Sequence, residues 1–190
     1  LTAQQELEEE RRARRALVDA SVRLNSLSSL PELLAAIMKG ATALMKAETS
    51  SIMVLDDNKK ELLFEVATGT KGQSVTQMRV PADQGIAGWV LKSGKPAVVN
   101  NVKTDKRFYA KIDFGSGFKT KSILALPLNI RNRAIGVVEI INKRGGGGFT
   151  DRDLEIASAF AAQAAVAIEN ARLYQKLADA LVESRMSYRL

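Results

Sequence analysis

Residues 108–120 read FYAKIDFGSGFKT, and the run behind them at 122–130 reads SILALPLNI. The first stretch is polar, irregular and glycine-bearing; the second is apolar enough for a strand in a core. Tyr109, Asp113, Ser116 and Thr120 place three hydroxyls and a carboxylate within twelve residues. Gly115 and Gly117 let the backbone come close to a bound group. An aromatic ring with convergent hydroxyls beside a sheet suits a pocket for a small polar ligand. Gly, Ser and Asp are also ordinary turn residues, so composition alone fits a surface loop as well. The flanking sequence decides the matter.

Downstream, residues 121–130 and 134–142 read as a hairpin about Arg131-Asn132-Arg133. Glu139 stands inside the apolar strand AIGVVEII and by alternation shares a face with Val137 and Ile141. A carboxylate on that face needs a donor, which favours an inward position lining a pocket. The glycine run at 145–148 lacks the GKS or GKT ending of a phosphate loop and reads as a connector. Thr150-x-x-Asp153 then caps a long helix reaching about residue 188. Its first half, AFAAQAAVAIENA, is rich in alanine; its second carries Leu173, Leu177, Ala180 and Leu181 at near-heptad spacing.

Upstream, residues 3–28 read as a helix with Glu8 and Glu10 four positions before Arg12 and Arg14, and a thin leucine stripe suited to a partner helix. Ser29-Leu-Pro-Glu32 has capping-box spacing. The helix after it, to about Lys46, is expected to bury Leu33, Leu34, Ile37, Met38, Ala41, Leu44 and Met45. Strands at 50–55 and 62–68 follow, joined by the polar turn DDNKK, then a short strand at 78–80. Pro81-Ala-Asp-Gln-Gly85 opens a short helix over 86–92, whose free N–H groups and positive dipole end suit an anion. A further strand is expected at 97–99. Helix, helix, two strands, short strand, short helix, strand, loop, two strands and long helix make an α+β domain: a central antiparallel sheet of about six strands with helices to one side. Three segments are expected: a linker or dimerisation helix at 1–28, one domain at 29–176, and a helical continuation at 177–190. Terminal helices with apolar stripes suggest a homodimer joined through a helical bundle.

Composition narrows the chemistry. The chain has 190 residues, 46% of them hydrophobic, with no cysteine and no histidine. That removes disulfides, thiolate zinc sites, cysteine nucleophiles, Ser-His-Asp triads and histidine-ligated haem. GxSxG does not occur. No enzyme activity, covalent cofactor or metal site is expected, and no membrane span in these residues. The chain is expected to be cytoplasmic, and the helical look of both ends suggests a piece of a longer protein. The net charge of +7 would suit an acidic partner, but its basic residues are scattered along the sequence with few aromatics among them. That pattern does not suggest nucleic-acid binding.

PADQGIAGWVLKSGKPAVVNN at 81–101, FYAKIDFGSGFKTKS at 108–122, and the spaced set Asn142, Lys143, Phe149 and Asp153 resemble the GAF domain family over roughly residues 30–176. The likeness is to its cyclic-nucleotide-binding branch in phosphodiesterases and cyanobacterial adenylyl cyclases; Leu154 stands where that branch usually has Glu. The resemblance implies a regulatory sensor that binds cyclic AMP or cyclic GMP and relays to an output domain through paired helices. A ligand-free dimerisation and relay module is the alternative.

Residue by residue, the resemblance implies that Ile86 and Ala87 offer backbone N–H groups to the cyclic phosphate. Tyr109 and Asp113 would close over the ligand, Ser116 and Thr120 would offer hydroxyls to base or ribose, Glu139 would sit near the sugar hydroxyl, and Ser51 beneath the base. Lys143 and Asp153 would form an internal, structural ion pair. In cyclic-GMP binders an aromatic that stacks on the purine and an acid that reads guanine occupy the positions held here by Ala67 and Thr68. Alanine cannot stack and threonine offers one neutral hydroxyl, so the resemblance favours cyclic AMP. Reduction of free methionine sulfoxide and bilin attachment, known in other GAF proteins, both use cysteines that this chain lacks.

Overall fold

Ser29 and Glu32 exchange hydrogen bonds, Glu32 N–H to Ser29 Oγ and Ser29 N–H to Glu32 Oε2, and the first helix starts between them. The structure is a computed structural model that describes residues 29–56, 58–69, 75, 76 and 78–187. The helix expected at 3–28 lies outside the described residues. In order come α1 (Leu30–Leu44), β1 (Ala47–Leu55), β2 (Glu61–Ala67), β3 (Arg79–Pro81), α2 (Gly85–Ser93), β4 (Ala97–Val99), a 3-10 turn (Val102–Thr104), α3 (Lys111–Ser116), β5 (Ile123–Ile130), β6 (Arg133–Lys143) and α4 (Asp151–Ser187). Two departures from the sequence reading stand out. The segment at 108–120 is not wholly irregular, because it folds one short helix, α3, ended by a bond from Gly117 N–H to Asp113 O. On α1 and the turn after it, Leu34, Met38, Ala41 and Met45 are buried, whereas Leu33 and Leu44 are exposed, Leu44 at 64%. At 100° per residue, positions i, i+4, i+7 and i+11 make one narrow stripe, and its two neighbours fall outside it.

The sheet has six strands in the order β3-β2-β1-β6-β5-β4, with every neighbouring pair antiparallel. This is the α+β architecture expected. β1 and β6 lie at its centre, which fits their continuous apolar runs IMVL and IGVVEII. Arg131 and Asn132, both at positive φ, turn β5 into β6 with a two-residue loop. Gly136 lets β6 cross β1 closely: a Cβ there would lie 2.2 Å from Met53 O.

The period-two alternation of β1 sends Ser50 and Ser51 to opposite faces. Ser50 Oγ accepts from Thr42 Oγ1 of α1 at 2.8 Å, so α1 covers that face, and Gly40 of α1 meets the ring of Phe160 of α4. On the other face Met53, Leu62, Val80, Ile123, Ala125 and Val137 form one core cluster with Ile86, Ala87 and Val90 of α2. The long helices thus share one face, while α2 and α3 lie over the other. Within the unit Leu34–Ala167, α4 buries Ala157, Ala161, Ala164 and Ala165. The second unit contains α4 from Ile168 onward, where Leu173, Tyr174, Leu177 and Val182 are exposed. Among the described residues, no helix is long and apolar enough to cross a membrane.

Candidate ligand-binding site

Strand pairing puts Ala67, Ser51, Glu139 and Ala125 in one row across β2, β1, β6 and β5. Directly paired residues point to the same face, so this row is two methyls around a hydroxyl and a carboxyl. Such short side chains cannot fill the space beneath α3. A cavity of about 350 Å³ opens over the row, and a narrower arm of about 60 Å³ runs to the start of α2. Phe64, Ile112, Asp113, Thr120, Glu139 and Ile141 belong to the walls of both.

The ten residues singled out as ligand contacts all lie in these walls. Ile86, Ala87 and Tyr109 line the arm; Ser51, Ala67, Thr68 and Ser116 line the main chamber; Asp113, Thr120 and Glu139 line both. At the arm, Gln84 starts α2 without a side-chain cap. The first bond of the helix is Gly88 N–H to Gln84 O, so the N–H groups of Gly85, Ile86 and Ala87 have no acceptor among the described residues. Gly85 holds φ +74° under Tyr109, whose Cβ would lie 2.9 Å from any Cβ added there. A side chain at position 85 would both strain the backbone and push the ring off the arm.

Two polar groups in the chamber stand apart from the rest. Ser51 Oγ is buried with no hydrogen-bond partner among the described residues, an arrangement that costs about 1–3 kcal/mol unless something else completes it. The Glu139 carboxyl makes no hydrogen bond to a described residue. Burial pushes its carboxyl up to about 7, and the negative charge of Asp113 adds to the shift. The upward shift favours the protonated acid, which can donate as well as accept.

The other hydroxyls are already in use. Thr120 donates through N–H and Oγ1 to the two carboxylate oxygens of Asp113, at 2.8 and 2.6 Å, which latches the first turn of α3 to the segment leading into β5. Ser116 Oγ donates to Ile112 O and accepts from Phe118 N–H. Thr68 Oγ1 accepts from Ser50 N–H at 2.9 Å and lies 3.0 Å from Ser50 Oγ, so it is tied to β1. Asp113, Thr120, Ser116 and Thr68 therefore shape the chamber through bonds to one another and to the backbone, with acceptor capacity left over.

Behind the cavity, Asn142 stands in the sequence only as part of a spaced set, yet it fixes the whole end of the flap, the segment at 108–120 that lies over the chamber. Its Oδ1 accepts from Lys121 and Ser122 N–H, and its Nδ2 donates to Lys119 O and Glu48 Oε2. The signal was available: Asn tolerates the left-handed conformation that it adopts here at φ +60°. Lys143 Nζ lies 2.6 Å from Asp153 Oδ1. Burial pushes the Asp153 carboxyl up, but Lys143 and the hydrogen bonds from Thr150 outweigh it and hold the group below its usual range. Asn100 clasps the backbone of Phe149 from both sides, accepting from its N–H and donating to its carbonyl.

The sequence profile of the GAF domain matches residues 29–168. The chain belongs to the GAF domain family. Among curated proteins, this GAF domain is 30% identical over 162 residues to a probable 3′,5′-cyclic phosphodiesterase, pde-5, of Caenorhabditis elegans. The match covers 80% of this chain and 22% of that protein, so the chain spans about a fifth of the relative's length. Among solved structures, the GAF domain of an Acinetobacter phosphoenolpyruvate-protein phosphotransferase superposes with a TM-score of 0.66 at 21% identity, over 85% of this chain and 95% of that one. Its counterpart from Coxiella burnetii gives 0.71 at 15% identity over the same shares. At such identities the superpositions establish the fold alone. GAF domains are of the regulatory sensor type found in signalling proteins.

Proposed function

We propose that this GAF domain binds a cyclic nucleotide, cyclic AMP in preference to cyclic GMP, as the sensor part of a larger cytoplasmic signalling protein without catalysis of its own. The observation that carries this reading is the polarity of the cavity. One end presents three unsatisfied N–H groups at the uncapped start of α2, where a helix dipole favours an anion. The other presents Ser51 Oγ without a partner and the neutral-leaning carboxyl of Glu139, which suit uncharged donors and acceptors. A cyclic nucleotide has that polarity, with a singly charged phosphate at one end and sugar and base edges at the other. The chamber and its arm, about 350 and 60 Å³, fall at the small end of the range for small-molecule pockets. Preference for adenine is supported by Ala67, which has no ring to stack, and by Thr68, whose hydroxyl is engaged by β1. The name of the curated relative, a cyclic phosphodiesterase, agrees with this ligand class.

Output would pass through α4, whose exposed Leu173 and Leu177, one turn apart on the same side of the helix, offer an apolar strip to a second copy. A ligand that binds one arrangement of paired helices better than the other shifts the population between them. The deciding experiment is calorimetric titration with cyclic AMP and cyclic GMP, after unfolding and refolding to strip any retained purine. Micromolar or tighter binding of cyclic AMP supports the reading, and preference for cyclic GMP refutes the specificity argument. No heat with either nucleotide from folded protein favours a ligand-free relay module.

A further inference from the structure

Of the residues lining the main chamber, three are exposed to solvent: Glu48, Gly69 and Arg144. All three, with Thr68, also line an open basin of about 550 Å³ between the end of α1, the start of β1 and the end of β6. The chamber and the basin therefore share an exposed wall. Three cations surround it: Lys39 and Lys46 from α1 and the turn after it, and Arg144. Arg144 N–H donates to Lys46 O at 2.8 Å, which holds the backbones of two of them side by side. None of the three forms an ion pair with a described residue; the pairs there are Arg79–Glu61, Arg107–Asp105 and Lys143–Asp153. The one carboxylate in the basin wall, Glu48, already accepts a hydrogen bond from Asn142 Nδ2.

We propose that this basin is the portal of the cavity, and that Lys39, Lys46 and Arg144 select anionic small molecules as they enter. Charge of one sign around the mouth of a cleft raises the local concentration of the opposite sign and with it the on-rate, roughly 10- to 1000-fold at low salt. The side chains themselves need not touch the bound ligand. Their effect is on arrival, not on the depth of the final complex. This inference rests on the cavity and its mouth and does not depend on which anion the chamber holds.

Because the chain has no cysteine, one thiol placed in the chamber reports arrival directly. Ser51→Cys exchanges an unpartnered buried hydroxyl for a thiol of similar size. Its rate of modification is measured with two methanethiosulfonates of matched size, one carrying a sulfonate and one a trimethylammonium group. The comparison is between this background and the same background with Lys39→Gln, Lys46→Gln and Arg144→Gln. The ratio of anionic to cationic rate should fall about tenfold in the triple variant at low ionic strength. The difference should collapse in high salt, where the Debye length shrinks to a few ångströms. An unchanged ratio, or one blind to salt, overturns the proposal. If Ser51→Cys does not fold, Ala67→Cys, in the same wall, takes its place. Folded protein whose thiol reacts with neither reagent also overturns it, because the chamber is then shut off from the basin. Protection of the thiol by cyclic AMP is scored separately: its absence counts against the nucleotide reading and leaves the charge ratio standing.

Discussion

Glu139→Gln should make this domain more stable above pH 7 while leaving it unchanged at pH 4.5 and below. The carboxyl lies in the cavity wall without a hydrogen-bond donor, and burial together with the charge of Asp113 raises it from 4.5 to about 7. Between those two values the folded chain holds a proton that the unfolded chain has released. Stability therefore falls as pH rises, and the contribution present below 4.5 is lost through 7. A shift of that size corresponds to roughly 3 kcal/mol at full ionisation, reduced toward 2 because Glu139 is half-buried rather than sealed from solvent. Glutamine keeps the shape of the protonated acid and cannot ionise. The carboxyls of Asp105 and Asp153 are held below their ordinary range, so what they contribute is lost only as pH falls through those low values, outside this window. Urea unfolding of wild type and variant at pH 5, 6, 7 and 8 measures the effect. The gap should widen in favour of glutamine by about 2 kcal/mol from pH 5 to pH 8. Parallel curves for the two proteins, or a variant weaker at pH 8, would refute the buried-acid account of Glu139.

Three further outcomes follow from the same geometry. Asn142→Ala removes four hydrogen bonds at a buried site with positive φ and should cost roughly 2–4 kcal/mol in denaturant unfolding; a loss under 1 would show that the flap end is held by other means. Gly136→Ala sets a methyl 2.2 Å from Met53 O between the two central strands. It should cost at least about 1–3 kcal/mol, measured as a drop in midpoint denaturant, and a neutral result would mean that β1 and β6 can part freely. Asp113→Ala opens the latch to Thr120, so amide exchange at 111–120 should quicken about tenfold or more while that of β1 and β6 is unchanged. Equal protection of the flap in both proteins would deny the latch its role.

The order of elements was readable because its signals are local. Glycine, proline and capping residues punctuate helices and turns, and alternation assigns faces to strands such as the one carrying Glu139. Convergence of the candidate site was readable in part by the same route, since alternation turned Glu139 inward and the PADQG turn opened a helix. What Ser51, Ala67 and Glu139 do together depends on pairing across three strands that are distant in sequence, and local patterns carry no register between such strands. For the same reason the mutual bonds of Asp113 with Thr120 and of Thr68 with Ser50 could not be foreseen: each residue looked like a free polar group. The expected burial of Leu33 and Leu44 failed because amphipathic spacing defines a direction but not the width of the surface that meets it. The proposed portal has no local signal at all, as Lys39, Lys46 and Arg144 read as scattered charge until the fold gathers them.

The alternation of β1 has a mechanical consequence. Ser51 faces the chamber, and Ser50, the next residue, is tied through Thr42 to α1 on the opposite face. Consecutive Cα atoms are held 3.8 Å apart across a planar peptide, and this one lies in a central strand bonded on both sides. No loop separates the two contacts to absorb a displacement. A pull on the hydroxyl of Ser51 is thus felt at α1 within a single peptide unit, as though the sheet were a membrane with a sensor glued to one surface and a strut to the other.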